Sequence, residues 1–312
     1  MRKKASILSQ ATLWLTVFAV AWIGLSEAAE PTSSDERKTI MILDFLSENA
    51  RLLRSGDFVN GKYRKLETKY GKLPRSRFEG TTLSGRKVGP ETVQLVPSFS
   101  PETGQAIRYT LGPQGKGSKA RSEHYLQVGE MDRTYCSEFS MMLDPNMTVA
   151  EKRREYDGGQ NWVILRQWHQ SAPESPPIAL ALEGGTNNVI VTSIRYGDHQ
   201  RASSRIFRGR KPLELGKWYH FRFRWHVAPG TDKSRLKVWV SDERWGDDLR
   251  ESDVLFDYHG PIGYTLKGKP ASEITRNSYT LREQQGIYQG GHLAKDAFHA
   301  LSIANVRIYQ TQ

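Results

Sequence analysis

Five side chains of this 312-residue sequence have the types and spacing to act on an anionic partner. In "VILRQWHQ", residues 163–170, an apolar run meets Gln167, Trp168 and His169. Side chains alternate along an extended chain, so Gln167 and His169 face one way and Trp168 faces the other, toward a core. In "RSEHYLQV" Arg121 and Glu123 share a face by the same rule. Tyr288, in "REQQGIYQGG", lies between glycines, where backbones can approach closely and a phenol can project. An amide and a guanidinium can neutralise an anion, and an imidazole of ordinary pKa, about 6.5, moves protons near neutrality. Each group also has a plainer reading: a surface ion pair, hydrogen-bonded fillers at a sheet edge, and a packed tyrosine.

Such side chains need strands to carry them. "GKWYHFRFRWHV" alternates, with Trp218, His220, Arg222, Arg224 and His226 on one face and Tyr219, Phe221, Phe223, Trp225 and Val227 on the other. "APGTDKS" turns the chain and "RLKVWVS" returns, which predicts a hairpin. Further strands are expected in "ETVQLVPS", "QAIRYTLG", "SEHYLQV", "TYCSEFSMML", "WVILRQWH", "IALALE", "NVIVTSIRY" and "HALSIANVRIYQ". Short strands joined by Gly, Pro, Asp and Asn turns, with no interleaved helices, predict an all-β, antiparallel jelly roll, a concanavalin-like sandwich. The row from Trp218 to His226 reads as a solvated outer face rather than as part of a groove. Before the sandwich, Asp35 to about Lys69 places Ile40, Ile42, Leu43, Phe45, Leu46, Leu52 and Leu53 at a spacing that suits one helix and a turn. The expected organisation is an export signal over 1–28, a helical extension over 29–74 and the β domain over 75–312.

The N-terminus has Arg2-Lys3-Lys4, an apolar run from Ala11 to Leu25 and small residues near Ala28 and Ala29, the pattern of a cleaved signal. Its apolar run is shorter than the roughly 20 residues of a membrane span. The expected location is therefore secreted or periplasmic, without a stable membrane anchor. Loss of 1–28 would lower the formal charge from +11 to +9. An exported, strongly basic chain points to an anionic polymer rather than to nucleic acid. The one cysteine, Cys136, has no partner for an internal disulfide and reads as a small core residue. No metal-binding spacing is present, and Asp247, Asp248 and Asp253 read as loop residues.

In this order, an Arg, a Gln-x-His and a Gly-x-Tyr resemble the jelly-roll polysaccharide lyases. The resemblance is strongest to the heparin lyase and glucuronan lyase families and looser to the alginate lyases. The motifs stand as "RSE" at 121–123, "QWH" at 167–169 and "GIY" at 286–288, framed by "DRTYCSEFSMMLDP", "PPIALAL", "LGKWYHFRFRW" and "LKVWVS". The resemblance covers roughly residues 90–312 and implies β-elimination on a uronic-acid-containing polysaccharide. There the proton beside the carboxylate must leave, and an ionised carboxylate resists further negative charge. Gln167 and Arg121 would neutralise it, with Glu123 in the same substrate-binding set. His169 would join them or act as base, and Tyr288 would protonate the departing glycosidic oxygen or take the proton itself; which is base stays open. Where the alginate lyase pattern has a lysine four residues before the tyrosine, this chain has Gln284, with Arg282 two residues further back. Either Arg282 or another basic residue supplies the cation, or the acceptor sugar differs. The chemistry implies no cofactor, although related families can carry a structural calcium; the expected state is a monomer. Two other classes stay open: a carbohydrate-binding lectin, which needs no Tyr/His pair, and a glycoside hydrolase. A hydrolase needs two carboxylates flanking the bond, and no strand shows such an acidic set.

Overall fold

The alternation of β-branched and aromatic residues with polar ones is realised as strands throughout the computed structural model. It describes residues 38–43, 58–59, 62–63, 67–68, 71–72, 78–80, 93–99, 104–111, 120–147, 162–170, 175–183, 188–198, 202–268, 276–290 and 299–311. All lie in the unit Glu36–Gln312. In chain order the strands are β1 (Lys38–Leu43), β2 (Phe58–Val59), β3 (Lys62–Tyr63), β4 (Glu67–Thr68), β5 (Gly71–Lys72), β6 (Phe78–Gly80), β7 (Val93–Pro97), β8 (Gln105–Leu111), β9 (Ala120–Glu130) and β10 (Thr134–Leu143). They continue as β11 (Trp162–His169), β12 (Ile178–Glu183), β13 (Val189–Gly197), β14 (Ala202–Pro212), β15 (Trp218–His226), β16 (Arg235–Ser241), β17 (Val254–His259), β18 (Gly263–Tyr264), β19 (Thr280–Gly290) and β20 (His299–Thr311). Among the described residues no helix is long and apolar enough to cross a membrane.

Two sheets face each other as a jelly roll. One runs β14-β13-β12-β11-β19-β9-β6, and the other β17-β16-β15-β10-β20-β8-β7, with β1 also on β20. The chain passes between them from β8 to β9, β9 to β10 and β10 to β11, so strands distant in sequence become neighbours. β19 lies between β9 and β11. Every expected strand is present.

One expectation is corrected. Lys38–Leu43, read as part of a helix, pairs antiparallel with β20 as β1, and the two-residue strands β2 to β5 form small hairpins. The cause is an open edge: β8 covers β20 only from His299 to Ile303, and β1 takes up the stretch from Val306 to Gln310. Unpaired ladder groups recruit a segment whose Thr39, Ile40 and Ile42 suit a strand, and tertiary pairing overrides the helical spacing. Phe45, Leu46, Leu52 and Leu53 lie outside the described residues.

The interior is filled by the faces that the alternation predicts. Tyr219, Phe221, Phe223 and Trp225 of β15 and Tyr135, Phe139 and Met141 of β10 meet Trp168, Leu180, Leu182, Ile194 and Ile287 of the opposite sheet. Trp168 is fully buried, its ring 4.8 Å from that of Phe223. The opposite row of β15 is the outer face of the second sheet, away from β11 and β19. There Arg222 Nε donates to Glu138 Oε1 at 2.8 Å, His226 lies 3.2 Å from Asp132 and His220 lies 2.8 Å from Ser140 Oγ. Cys136 is buried, and burial pushes its thiol up to about 12, so it remains protonated and inert.

Between the sheets sits an ion pair that the alternation does not reveal. Arg166 and Glu283 have fully buried side chains, and Arg166 Nε donates to Glu283 Oε1. Ser137 Oγ donates to Glu283 Oε2 at 2.7 Å, and Arg166 Nη1 donates to Gln285 Oε1 at 3.0 Å. Gln285 Nε2 donates to Tyr109 Oη at 3.1 Å, and the guanidinium lies 3.9 Å over the Phe139 ring. Removing one charge strands the other in a low-dielectric interior. Glu283→Gln is therefore expected to lower the unfolding free energy by about 3 kcal/mol, whereas the double change Arg166→Met/Glu283→Met costs less than either single change. Urea midpoints of the four chains check this.

A second buried group gives the fold a pH dependence. His299, 1% exposed at the start of β20, has no hydrogen-bond partner for either ring nitrogen, and burial lowers its pKa from 6.5 to about 4. The unfolded chain binds this proton below about 6.5 and the folded chain only below about 4, so acid favours unfolding across that window. Stability is expected to fall by roughly 3 kcal/mol as pH drops from 6.5 to 4. Chemical denaturation across that range should show a shallower fall for His299→Leu.

Candidate active site

The outer face of β9, β19 and β11 is the place where the sequence-predicted residues meet. Trp168 points into the core, so Gln167 and His169 point outward; Glu283, Gln285 and Ile287 point inward, so Arg282, Gln284 and Tyr288 point outward. Backbone register then aligns them. Tyr288 is opposite Arg121 on one side and Ile164 on the other. Gly286 is opposite Glu123, Gln284 is opposite Gln167, and Arg282 is opposite His169. The seven residues form one continuous display, although their positions in sequence span 168 residues. The side chain of Arg121 lies outside the described residues; its backbone is placed by the ladder.

His169 and Tyr288 stand toward the two ends of this display. Six residues of β19 separate the levels of Arg282 and Tyr288, about 20 Å of extended chain at roughly 3.3 Å per residue. The amides lie between. Gln167 Nε2 donates to Glu123 Oε1 at 2.5 Å and to Gln284 Oε1 at 2.9 Å. Glu123, Gln167 and Gln284 are 1%, 0% and 2% exposed, so this is a built cluster rather than a surface ion pair. His169 and Arg282 are partly exposed. Tyr288, buried at 9%, is outside the sandwich interior, packed with Ile164, Ala179 and Ala181 and against Val191.

Two local features set this geometry. Leu165 and Arg166 are consecutive inward residues, at an irregularity where Ile164 and Arg166 flank a register shift against both β12 and β19. The break in alternation returns Ile164 to the outer face beside Tyr288. On β19, Gly286 has φ +130°, and a Cβ there would stand 2.1 Å from the Ser122 carbonyl oxygen and 2.9 Å from Glu123 Cα. Only glycine lets β9 come this close, and that approach brings Glu123 within reach of Gln167.

The sequence reading missed the floor beside the display. Ala179, Ala181 and Val191 face outward with Tyr288 and Ile164 as a small apolar cluster. Its signal was the small residue at alternate positions of "IALALE". Among the described residues no group of three or more His, Cys, Asp or Glu could hold a metal ion.

A family model described as polysaccharide lyase matches residues 75–299. No curated protein matches the chain. Among solved structures, the endo-β-1,4-glucuronan lyase of the fungus Trichoderma reesei superposes with a TM-score of 0.52 at 12% identity, covering 70% of this chain and 87% of that one. The alginate lyase A1-II′, of polysaccharide lyase family 7, gives a TM-score of 0.46 at 10% identity, covering 77% of this chain and 96% of that one. The likeness to both is one of fold.

The close approach at Gly286 is testable. Gly286→Ala places a methyl group against backbone at a positive φ, where nothing flexible can yield. It is expected to destabilise the fold by about 2–5 kcal/mol, read as a lowered denaturation midpoint.

Proposed function

Because the chain belongs to the polysaccharide lyase family, we propose that its substrate is an anionic polysaccharide containing uronic acid, cleaved by β-elimination on the outer face of β9, β19 and β11. Membership makes it an enzyme, a lyase acting on polysaccharide, and sets aside the lectin and the hydrolase. The observation that carries the finer reading is the convergence of Gln167, His169, Gln284 and Tyr288 on one outer face, beside a buried carboxylate and amide cluster.

The chemistry follows from what each group can offer. A uronate seated over the cluster meets amide donors, with Arg121 and Arg282 on the flanking rows of the ladder. Hydrogen bonds and positive charge there delocalise the carboxylate charge and stabilise the enolate-like intermediate formed when the neighbouring proton leaves. His169 and Tyr288 stand toward opposite ends of the amide cluster, their strand levels about 20 Å apart, so each side chain must reach in along the face toward the ring seated between them. One takes the proton, and the other protonates the glycosidic oxygen as the C–O bond breaks, leaving a double bond in the new non-reducing sugar. Ala179, Ala181 and Val191 pack behind the Tyr288 ring and hold the phenol in place. The proposal also has the enzyme act outside the cytoplasm, as the basic and apolar N-terminal pattern suggests.

Ultraviolet absorbance of the unsaturated uronate reports turnover directly. Screened against glucuronan, alginate, heparin and heparan, the chain should generate this signal with at least one polymer. Tyr288→Phe and His169→Ala should each lower kcat by roughly 100-fold or more, with unchanged unfolding midpoints. A correctly folded variant with normal rates removes that residue from the reaction, and absence of signal with every polyuronate removes the uronate reading.

A further inference from the structure

The amide cluster has a polarity that fixes which of its members can donate to substrate. As a carboxylate, Glu123 only accepts hydrogen bonds, so the Gln167 atom 2.5 Å from its Oε1 must be the nitrogen. The second hydrogen of that nitrogen goes to Gln284 Oε1 at 2.9 Å. Both Gln167 amide hydrogens are therefore engaged, and its Oε1 is left buried without a partner. Gln284 is held the other way round: its oxygen faces Gln167, and its Nε2 makes no hydrogen bond among the described residues. A reversed Gln167 amide would set oxygen against the Glu123 carboxylate, so the buried charge decides the orientation of both amides in turn.

We infer that Glu123 is a positioning residue: through Gln167 it locks Gln284 so that the two Gln284 amide hydrogens point to the substrate carboxylate. This rests on the uronate lyase reading above and refines it. Gln284 is the direct donor and Gln167 is the relay. A neutral amide suits a ring that carries a carboxylate beside hydroxyls, because it offers donors without a charge that a neighbouring carboxylate could capture. The negative charge of Glu123 stays behind the relay, spent on the Gln167 N–H rather than presented to the substrate.

The test is a four-cornered comparison of wild type, Glu123→Gln, Gln284→Lys and the double change, on the polyuronate that the wild type cleaves. A glutamine at 123 can donate or accept, so the relay loses its direction, whereas a lysine at 284 has donors only and needs no relay. Glu123→Gln is expected to lower kcat/KM by roughly 10-fold or more in the Gln284 chain and by less than about threefold in the Gln284→Lys background. If Gln284→Lys does not turn over, the same four corners in a Tyr288→Phe background, read as calorimetric affinity for an oligouronate, replace kcat/KM. Should Glu123→Gln fail to fold, Glu123→Asp, which draws the carboxylate back by one methylene, takes its place. Equal losses in both backgrounds overturn the relay and leave the lyase reading intact. Failure of the wild type to cleave or bind any polyuronate overturns the reading on which it rests.

Discussion

The buried pair of Arg166 and Glu283 is the interaction on which the site depends. Both side chains are sealed between the sheets, where an unpaired charge is costly, so the two strands that carry them have one favourable alignment. Arg166 is on β11 and Glu283 on β19, and the residues beside them in the pleat, Gln167 and Gln284, face the opposite way. A slip of one residue would turn the charges outward and the amides inward; a slip of two would part the charges. Register fixed in the dry interior is thus transmitted to the wet face. Ser137 and Tyr109, from the opposite sheet, complete the network and tie the site sheet to its partner.

That alignment would be of little use without the irregularities next to it. A regular β11 would carry Ile164 and Arg166 on the same face. The register shift makes Leu165 and Arg166 both inward and leaves Ile164 to pack with Tyr288. On the neighbouring strand Gly286 lets the β9 backbone close in, which brings Glu123 to the Gln167 amide. Three strands, one glycine and one interrupted alternation therefore produce a buried, oriented cluster on the outer face. Such preorganisation matters for an enolate, because donors that are already oriented need not rearrange as charge develops.

Much of this was legible in the chain. Regular alternation in "GKWYHFRFRWHV" specified the core face of β15, and the placement of Trp168 inside follows from its neighbours outside. Arg121, Glu123, Gln167, His169 and Tyr288 were found by type and spacing, and Arg282 and Gln284 through the resemblance to the alginate lyase pattern. β19, the central strand of the site, carries no such signal. In "TLREQQGIYQG" the inward positions include Glu283 and Gln285, so polar residues occupy both faces and the period of two disappears. The edge strand β14 was hidden for the opposite reason, since most of its side chains are exposed. The relation between Glu123 and Gln167 was illegible because it arises from a pairing of strands 44 residues apart through a third strand. The N-terminal segment shows the limit of local spacing: Ile40, Ile42 and Leu43 fit a helical face, but an open edge on β20 supplied a better partner.

Charge is distributed differently on the two sheets. Many cations of the second sheet and its loops are matched within the protein: Arg222 with Glu138, Lys217 with Asp242, Arg235 with Asp257, Lys237 with Glu251 and Arg244 with Asp253. The site sheet is weighted differently. Its edge strand β14 contains Arg205, Arg208, Arg210 and Lys211 and no carboxylate, and β13 beside it adds Arg195. Arg208 is exposed and lies in ladder with Val191, which packs beside Tyr288. Arg205 faces the other way, its guanidinium 5.6 Å over the Tyr258 ring, so Arg195 and Arg208 are the cations whose ladder positions match the outer face. Over a Debye length of about 8 Å at physiological salt, such cations act on charge along the face rather than at a single point. On the proposed function, charge along this border gathers the chain, and the choice of the reacting sugar falls to the amide cluster.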